Sequence, residues 1–181
     1  MAYTSKRTPS KTSRVITLGE IDSETVNEVI QFIYDINEED NKKTQREPIK
    51  LIINSGGGDV YSGLALVDLI SNSQTPIHTV CYGAAMSMAL VVFVAGHYRL
   101  ASQYATFMYH EALNNYPQFD KLSIIKDDLD ECNRIMKQYD EYLLSRSLLT
   151  QKQLEEVKKS IDLVCEKSRA SYQIKEKNDI I

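Results

Sequence analysis

Apolar positions along this chain change period several times. Val15 to Leu18 is a short apolar run that reads as a strand. From Glu24 to Ile36 the apolar residues Val26, Val29, Ile30 and Ile33 recur at the three- and four-residue spacing of a helix with one buried face. Asp22 or Ser23 is its expected N-cap. Residues 37–48 are highly charged and read as a loop ending at Pro48, before a buried strand over Ile49–Ile53. A polar, glycine-rich turn, Asn54-Ser-Gly-Gly-Gly-Asp59, then leads into a helix over Ser62–Ser71. Ile77 to Cys81 predicts another strand and Met88 to Ala95 a buried helix. Beyond a turn at Gly96-His97, Arg99–Ala101 and Thr106–Tyr109 read as two further strand segments. Strands alternating with helices imply an α/β architecture, with a mainly parallel sheet joined by crossovers.

The pattern then becomes one long helix, about 119–147, with Leu122, Ile125, Leu129, Cys132, Met136, Tyr139 and Leu143 on one stripe and charges opposite. A helix this long either packs along the sheet or projects and meets a partner chain. Thr150 is the expected cap of a further helix, Gln151 to Lys159, and Asp162 to Cys165 reads as a last short strand. Residues 1–14 hold Lys6, Arg7, Lys11 and Arg14 and no acid, and read as a mobile arm before a single domain over 15–181.

Composition narrows the function classes. The chain has 181 residues, 43% hydrophobic and 25% charged, which is an ordinary globular balance. A net charge of −4 without a basic stripe argues against nucleic-acid binding. The apolar stretch Ala84–Ala95 is too short to span a bilayer, and the polar start offers no hydrophobic signal segment, so a cytoplasmic protein away from membranes is expected. Cys81, Cys132 and Cys165 are odd in number and widely spaced, as suits reduced thiols. No metal-ligand spacing is present.

Two segments carry chemistry. The triple glycine after a strand makes a backbone-exposing turn. A P-loop fails for want of Lys-Ser/Thr at its spacing, and Gly-x-Gly-x-x-Gly fails because position 61 is Tyr, so no nucleotide cofactor is expected. In Gly83-Ala-Ala-Met-Ser-Met88, Ser87 sits where a strand turns into a helix, with Ala85 and Ala89 two positions either side. Small neighbours suit the strained turn that lifts a nucleophilic serine out of a sheet at a helix N-terminus. The same serine also fits an ordinary helix cap. His110 ends an apolar strand; His78 lies within a strand and His97 in a turn. Cys81 reads as a small buried hydrophobe.

Together, Ile53-Asn-Ser-Gly-Gly-Gly58, Gly83-Ala-Ala-Met-Ser-Met88 and Met108-Tyr-His110 resemble the motifs of the Clp protease proteolytic subunit family, in the same order and with a shortened hairpin before the histidine. The resemblance covers about residues 15–165. It implies a crotonase-like fold of repeated ββα units with the long helix as a protruding handle. It also implies a serine endopeptidase with Ser87 as nucleophile, His110 as general base, and the backbone N–H groups of Gly58 and Met88 as oxyanion hole. The family's aspartate follows the helix after the handle, and allowing two fewer residues in that helix places it at Asp162. Further implied are two stacked seven-membered rings enclosing the active sites, extended peptide substrates and an AAA+ unfoldase partner. Any use of ATP would then belong to the partner.

The sequence departs from the family in places. Gly56 stands where the family has proline, Ile161 where an arginine precedes the aspartate, and Asn114-Asn115 where the family has Gly-Gly; the segment before Val15 is short. These departures, with the acid, motivate an alternative: a ring subunit of the same fold, catalytically impaired and serving as scaffold. An acyl-CoA enzyme of the related crotonase type is disfavoured by the Ser-Met placement. A membrane-bound signal peptide peptidase is disfavoured because no lysine is positioned by pattern.

Overall fold

A computed structural model describes residues 13–110 and 122–159, with side chains of the long helix described from residue 126. The expected strand Asp162–Cys165 and residues 1–12 of the expected arm 1–14 lie outside the described residues; Arg14, expected in the arm, is instead held by Asp40 and by the backbone of Lys50. Element order is β1 (Val15–Leu18), α1 (Ser23–Glu39), β2 (Ile49–Ser55), α2 (Val60–Asn72), β3 (Ile77–Met86), α3 (Met88–Ala95), β4 (Tyr98–Ala101), β5 (Thr106–Met108), α4 (Leu122–Arg146) and α5 (Gln151–Lys159).

The strands form a five-stranded sheet in the order β1-β2-β3-β4, with β5 also paired to β3. Every pair is parallel, so the connections from β1 to β2, β2 to β3 and β3 to β4 cross back over the sheet through α1, α2 and α3, while β5 follows β4 along β3 without a crossover. β3 is long enough to take two partners on one side: residues 78–81 pair with β4 and residues 84–86 with β5. Parallel sheets are covered on their faces, and the core here joins Ile49, Leu51 and Ile53 of β2 to Val29 and Ile33 of α1, Leu66 and Ile70 of α2, and Val92 and Phe93 of α3. α3 is buried almost all round, which is why its sequence shows no polar face.

Two caps follow expectation. Asp22 accepts from the Thr25 N–H at 2.7 Å to start α1, and Thr150 starts α5 by sharing reciprocal bonds with Gln153. Two of the boundaries that differ have a local reason. α1 runs to Glu39, into the charged segment read as loop, because charged residues continue a helix readily on its solvent side. β3 runs to Met86, five residues past the expected end, because a bulge carries the strand through its glycine.

α4 packs through Ile135, Tyr139 and Leu143, all buried, while Leu129 nearer its start is 50% exposed. Arg146 in its last turn donates to the carbonyls of Val94, Ala95 and Gly96, closing the C-terminus of α3. Among the described residues no helix is long and apolar enough to cross a membrane.

Candidate active site

The carboxyl ends of β2, β3 and β5 meet at one edge of the sheet, where parallel α/β folds place their ligands. At the end of β2 the chain enters the triple-glycine turn. The buried Ser55 hydroxyl accepts from the Gly57 N–H at 3.1 Å. The Gly57 carbonyl accepts from Ile21 N–H at 3.0 Å, and the Ile21 carbonyl accepts from Asp59 N–H at 2.6 Å. Gly58 is thereby strapped against Ile21 with φ at 144°, where a side chain would collide with the Ile21 carbonyl oxygen. Asp59 closes the turn as N-cap of α2, accepting from Ser62 N–H at 2.8 Å, and the bonds from Ser62 hold its carboxyl below the usual carboxylate range.

β3 reaches the same edge through a bulge. Ile53 pairs with Cys81 and Ser55 with Ala85, so two steps along β2 match four along β3. Gly83 takes a φ of 91°, and Asn54 Oδ1 accepts from Ala84 N–H at 3.1 Å, filling the space beside Gly83. The bulge advances the strand end so that Ser87 lies against the glycine turn: a Cβ on Gly57 would stand 2.8 Å from Ser87 Cβ and 3.2 Å from Met88 N. Glycine at 57 is what permits this approach.

Ser87 itself has φ 53° and ψ −127°, the one positive φ among the described non-glycine residues. Such a conformation costs about 1–3 kcal/mol. Ser87 stands at the N-cap position of α3, yet its side chain makes no capping bond. The ordinary-cap reading therefore does not describe it; the geometry is that of a strand-to-helix elbow that leaves the hydroxyl unused. Met88 opens α3, and the first N–H groups of a helix have no intrahelical partner. Its side chain is wedged against Gly63 of α2.

β5 brings the histidine to this edge. Met86 is in register with Met108, and Ser87 N–H donates to the Met108 carbonyl at 2.7 Å. His110, half-buried, follows that acceptor by two residues, so residues 87 and 110 leave adjacent, hydrogen-bonded strands at the same end. The other histidines sit at the opposite end of the sheet. His78 is the second residue of β3, with its ring against Tyr98, and His97 Nδ1 accepts from Ile77 N–H at 3.1 Å. Cys81 is buried on β3, and burial pushes its thiol up to about 11, which leaves it protonated and inert at neutral pH. Asp162 lies outside the described residues. Gly58, Ser87, Met88 and His110 are thus gathered at one edge, and among the described residues no cluster of His, Cys, Asp or Glu is placed to hold a metal ion.

Three supporting residues escaped the sequence. Asn54 was legible as part of a motif but not as the plug of a bulge. Tyr139 of α4 read as one more apolar position, yet its hydroxyl donates to the Met88 thioether at 2.7 Å. Tyr109, next to His110, donates to Asp140 Oδ1 at 2.7 Å. Long-range polar bonds of this kind leave no periodic trace.

Known proteins are similar to this chain in sequence. The Clp protease family model matches residues 2–166. A Prochlorococcus marinus subsp. pastoris protein named ATP-dependent Clp protease proteolytic subunit 1 is 32% identical over 152 residues, covering 82% of this chain and 73% of its own length. A Lactuca sativa protein named ATP-dependent Clp protease proteolytic subunit is 36% identical over 108 residues, 58% of this chain and 53% of its own length. One from Synechococcus, named as subunit 2, is 32% identical over 129 residues, 65% of this chain and 64% of its own length. Except for the Prochlorococcus protein, the match spans about half to two thirds of these relatives. With its parallel sheet, its covering helices and a family match over most of its length, the chain belongs to the Clp protease family and has that family's crotonase-like α/β fold.

Proposed function

We propose that the chain is a serine endopeptidase subunit that hydrolyses peptide bonds inside an oligomeric barrel. Ser87 Oγ attacks the carbonyl carbon of an extended peptide, and His110 accepts the hydroxyl proton and passes it to the leaving amine. Asp162 orients the imidazole. The N–H groups of Gly58 and Met88 stabilise the oxyanion of the tetrahedral intermediate, and rigid donors are effective there because they need no reorganisation as the charge develops. Water, deprotonated by His110, then cleaves the acyl-enzyme ester. The substrate strand pairs with backbone beside the glycine turn.

The observation that carries this reading is the backbone at Ser87. A protein keeps a non-glycine residue at positive φ only where its surroundings enforce it, and here the strain frees a hydroxyl at a helix N-terminus beside a glycine turn. The oligomer would be two stacked heptameric rings of this chain, with α4 between them. The exposed Leu129, on the stripe shared with Leu122 and Ile125, supports that use of the helix. Unfolding of larger substrates, and the ATP it requires, would come from an AAA+ partner.

A fluorophosphonate tests the reading directly. The assembled protein is expected to take the label on Ser87, found by mass spectrometry of the digested chain. Labelling is expected to disappear in Ser87→Ala and His110→Ala and to slow by orders of magnitude in Asp162→Asn. Assembled rings that take no label would instead make the chain a scaffold subunit.

A further inference from the structure

Two consecutive residues of α4 grip the chain on either side of the candidate nucleophile and base. Tyr139, buried, donates its hydroxyl hydrogen to Met88 Sδ at 2.7 Å, and Met88 directly follows Ser87. Asp140 accepts from the hydroxyl of Tyr109, also buried, at 2.7 Å, and Tyr109 directly precedes His110. The second oxygen of Asp140 accepts from Lys158 Nζ at 2.6 Å, near the end of α5 and four residues before Asp162. Asp140 and Lys158 are mostly buried, with side chains 18% and 21% exposed. A carboxylate so placed is tolerated only when its oxygens are bonded, and here each oxygen holds a different element.

The geometry points to Tyr139 and Asp140 as a positioning pair for catalysis. The pair fixes the separation between the elbow that carries Ser87 and the strand end that carries His110, and through Lys158 it also holds the end of α5. Adjacent positions on a helix point about 100° apart, so one rigid element can reach both α3 and the end of β5. Arg146, two turns on, holds the other end of α3 by three carbonyls, so α4 and α3 move as a unit. A shift of α4 would then change the Ser87–His110 geometry directly. The inference rests on the proposed peptidase reading, because it is about the spacing of that reading's nucleophile and base.

The test compares Tyr109→Phe and Asp140→Asn, singly and together, with wild type and with Glu131→Gln. Glu131 lies on the same helix in an exposed network with Tyr61 and Arg134, away from both grips. Each protein is assayed for assembly, thermal midpoint, fluorophosphonate labelling and peptide kcat and KM. Tyr109→Phe and Asp140→Asn are expected to lower labelling and kcat about 10- to 100-fold at unchanged KM, as misplacement of reacting groups does. The double variant is expected to be worse than either single one, because Asp140→Asn keeps an oxygen that accepts from Tyr109 and loses the bond from Lys158, whereas Tyr109→Phe loses only the first bond. Glu131→Gln is expected to match wild type. Tyr109→Phe deletes one oxygen and carries the test if Asp140→Asn fails to assemble. Wild-type labelling with unchanged rates in Tyr109→Phe overturns the positioning role and leaves the peptidase reading intact, as does a loss confined to KM or to thermal midpoint. A wild type that assembles but takes no label overturns both.

Discussion

The two ends of the parallel sheet are built on opposite terms. At the carboxyl end, β2 and β3 finish in backbone that ordinary residues avoid: Gly57, Gly58, Gly83 and Ser87 all have positive φ. At the amino end the chain is tied down by a saturated polar cluster. Asp40, with no exposed surface, accepts from Arg14 Nη2 at 2.5 Å and Nη1 at 2.8 Å, from Lys43 at 2.7 Å and from the Thr75 hydroxyl at 3.2 Å. Asn37 joins it by accepting from Thr75 N–H at 2.9 Å. Strain sits where chemistry is proposed, and the buried charged cluster sits where none is. A fold can hold a costly elbow only if other regions over-determine the structure, and the cluster that joins β1, α1 and the approach to β3 does so.

Substitutions that separate the two ends test this division, and the largest effect belongs to the amino end. Asp40→Ala leaves two cations and a hydroxyl around a missing carboxylate. Breaking a buried pair in this way costs about 3–5 kcal/mol. The denaturant midpoint should fall accordingly, while fluorophosphonate labelling per folded molecule stays at the wild-type rate. Loss of labelling in the folded fraction would show that the ends are coupled.

The same cluster sets a pH dependence. Hydrogen bonding from Arg14, joined by Lys43, holds the Asp40 carboxyl well below the usual carboxylate range despite its burial. In the unfolded chain that carboxyl titrates near pH 4, roughly. Below that pH the unfolded state binds more protons than the folded one, so stability rises with pH there. The contribution is complete above about pH 5 and is lost as pH falls towards the folded value. Urea unfolding across pH 3 to 6 should show a steep acid limb in wild type and a shallower one in Asp40→Asn.

The sequence made these ends unequally legible. Pattern located β2 and α2 because each buries a regular face: Ile49, Leu51 and Ile53 alternate inward, and Leu66 and Ile70 share one side of α2; α3 was legible as an unbroken apolar run. The glycine turn and Ser87 were legible because close backbone approach requires small residues, and that requirement is local. Asp40 was not, because in a run of charges nothing marks which carboxylate will find Arg14, 26 residues earlier. The end of β3 was misjudged for a related reason. The apolar run ends at Cys81, but Asn54, from a neighbouring strand, supplies a bond to Ala84 N–H beyond it, and the strand continues.

Asn54→Ala is therefore the next, smaller test. It removes the acceptor of Ala84 N–H and empties the space beside Gly83, at a cost of about 1–2 kcal/mol. Because the bulge sets how far β3 advances, the variant should also slow Ser87 labelling more than Asp40→Ala does. Equal labelling in both would mean that the glycine turn alone holds the elbow in place.

The smallest effect bears most directly on the strain itself. On an exposed helical face of this fold glycine should be the worse residue. At Ala65, exposed on α2, Ala→Gly should cost about 1 kcal/mol through the freedom it gives the unfolded chain and the lost helix propensity. At position 87 the order should reverse. Alanine keeps a Cβ and hence the strain of φ 53°, whereas glycine accepts that backbone without penalty. Neither has a hydroxyl, so neither should label. Relief of about 1–3 kcal/mol outweighs the entropic loss, and Ser87→Gly should unfold at higher denaturant than Ser87→Ala. If Ser87→Ala proves the more stable of the two, the elbow carries no strain, and the contrast between the ends of the sheet reduces to a difference in polarity.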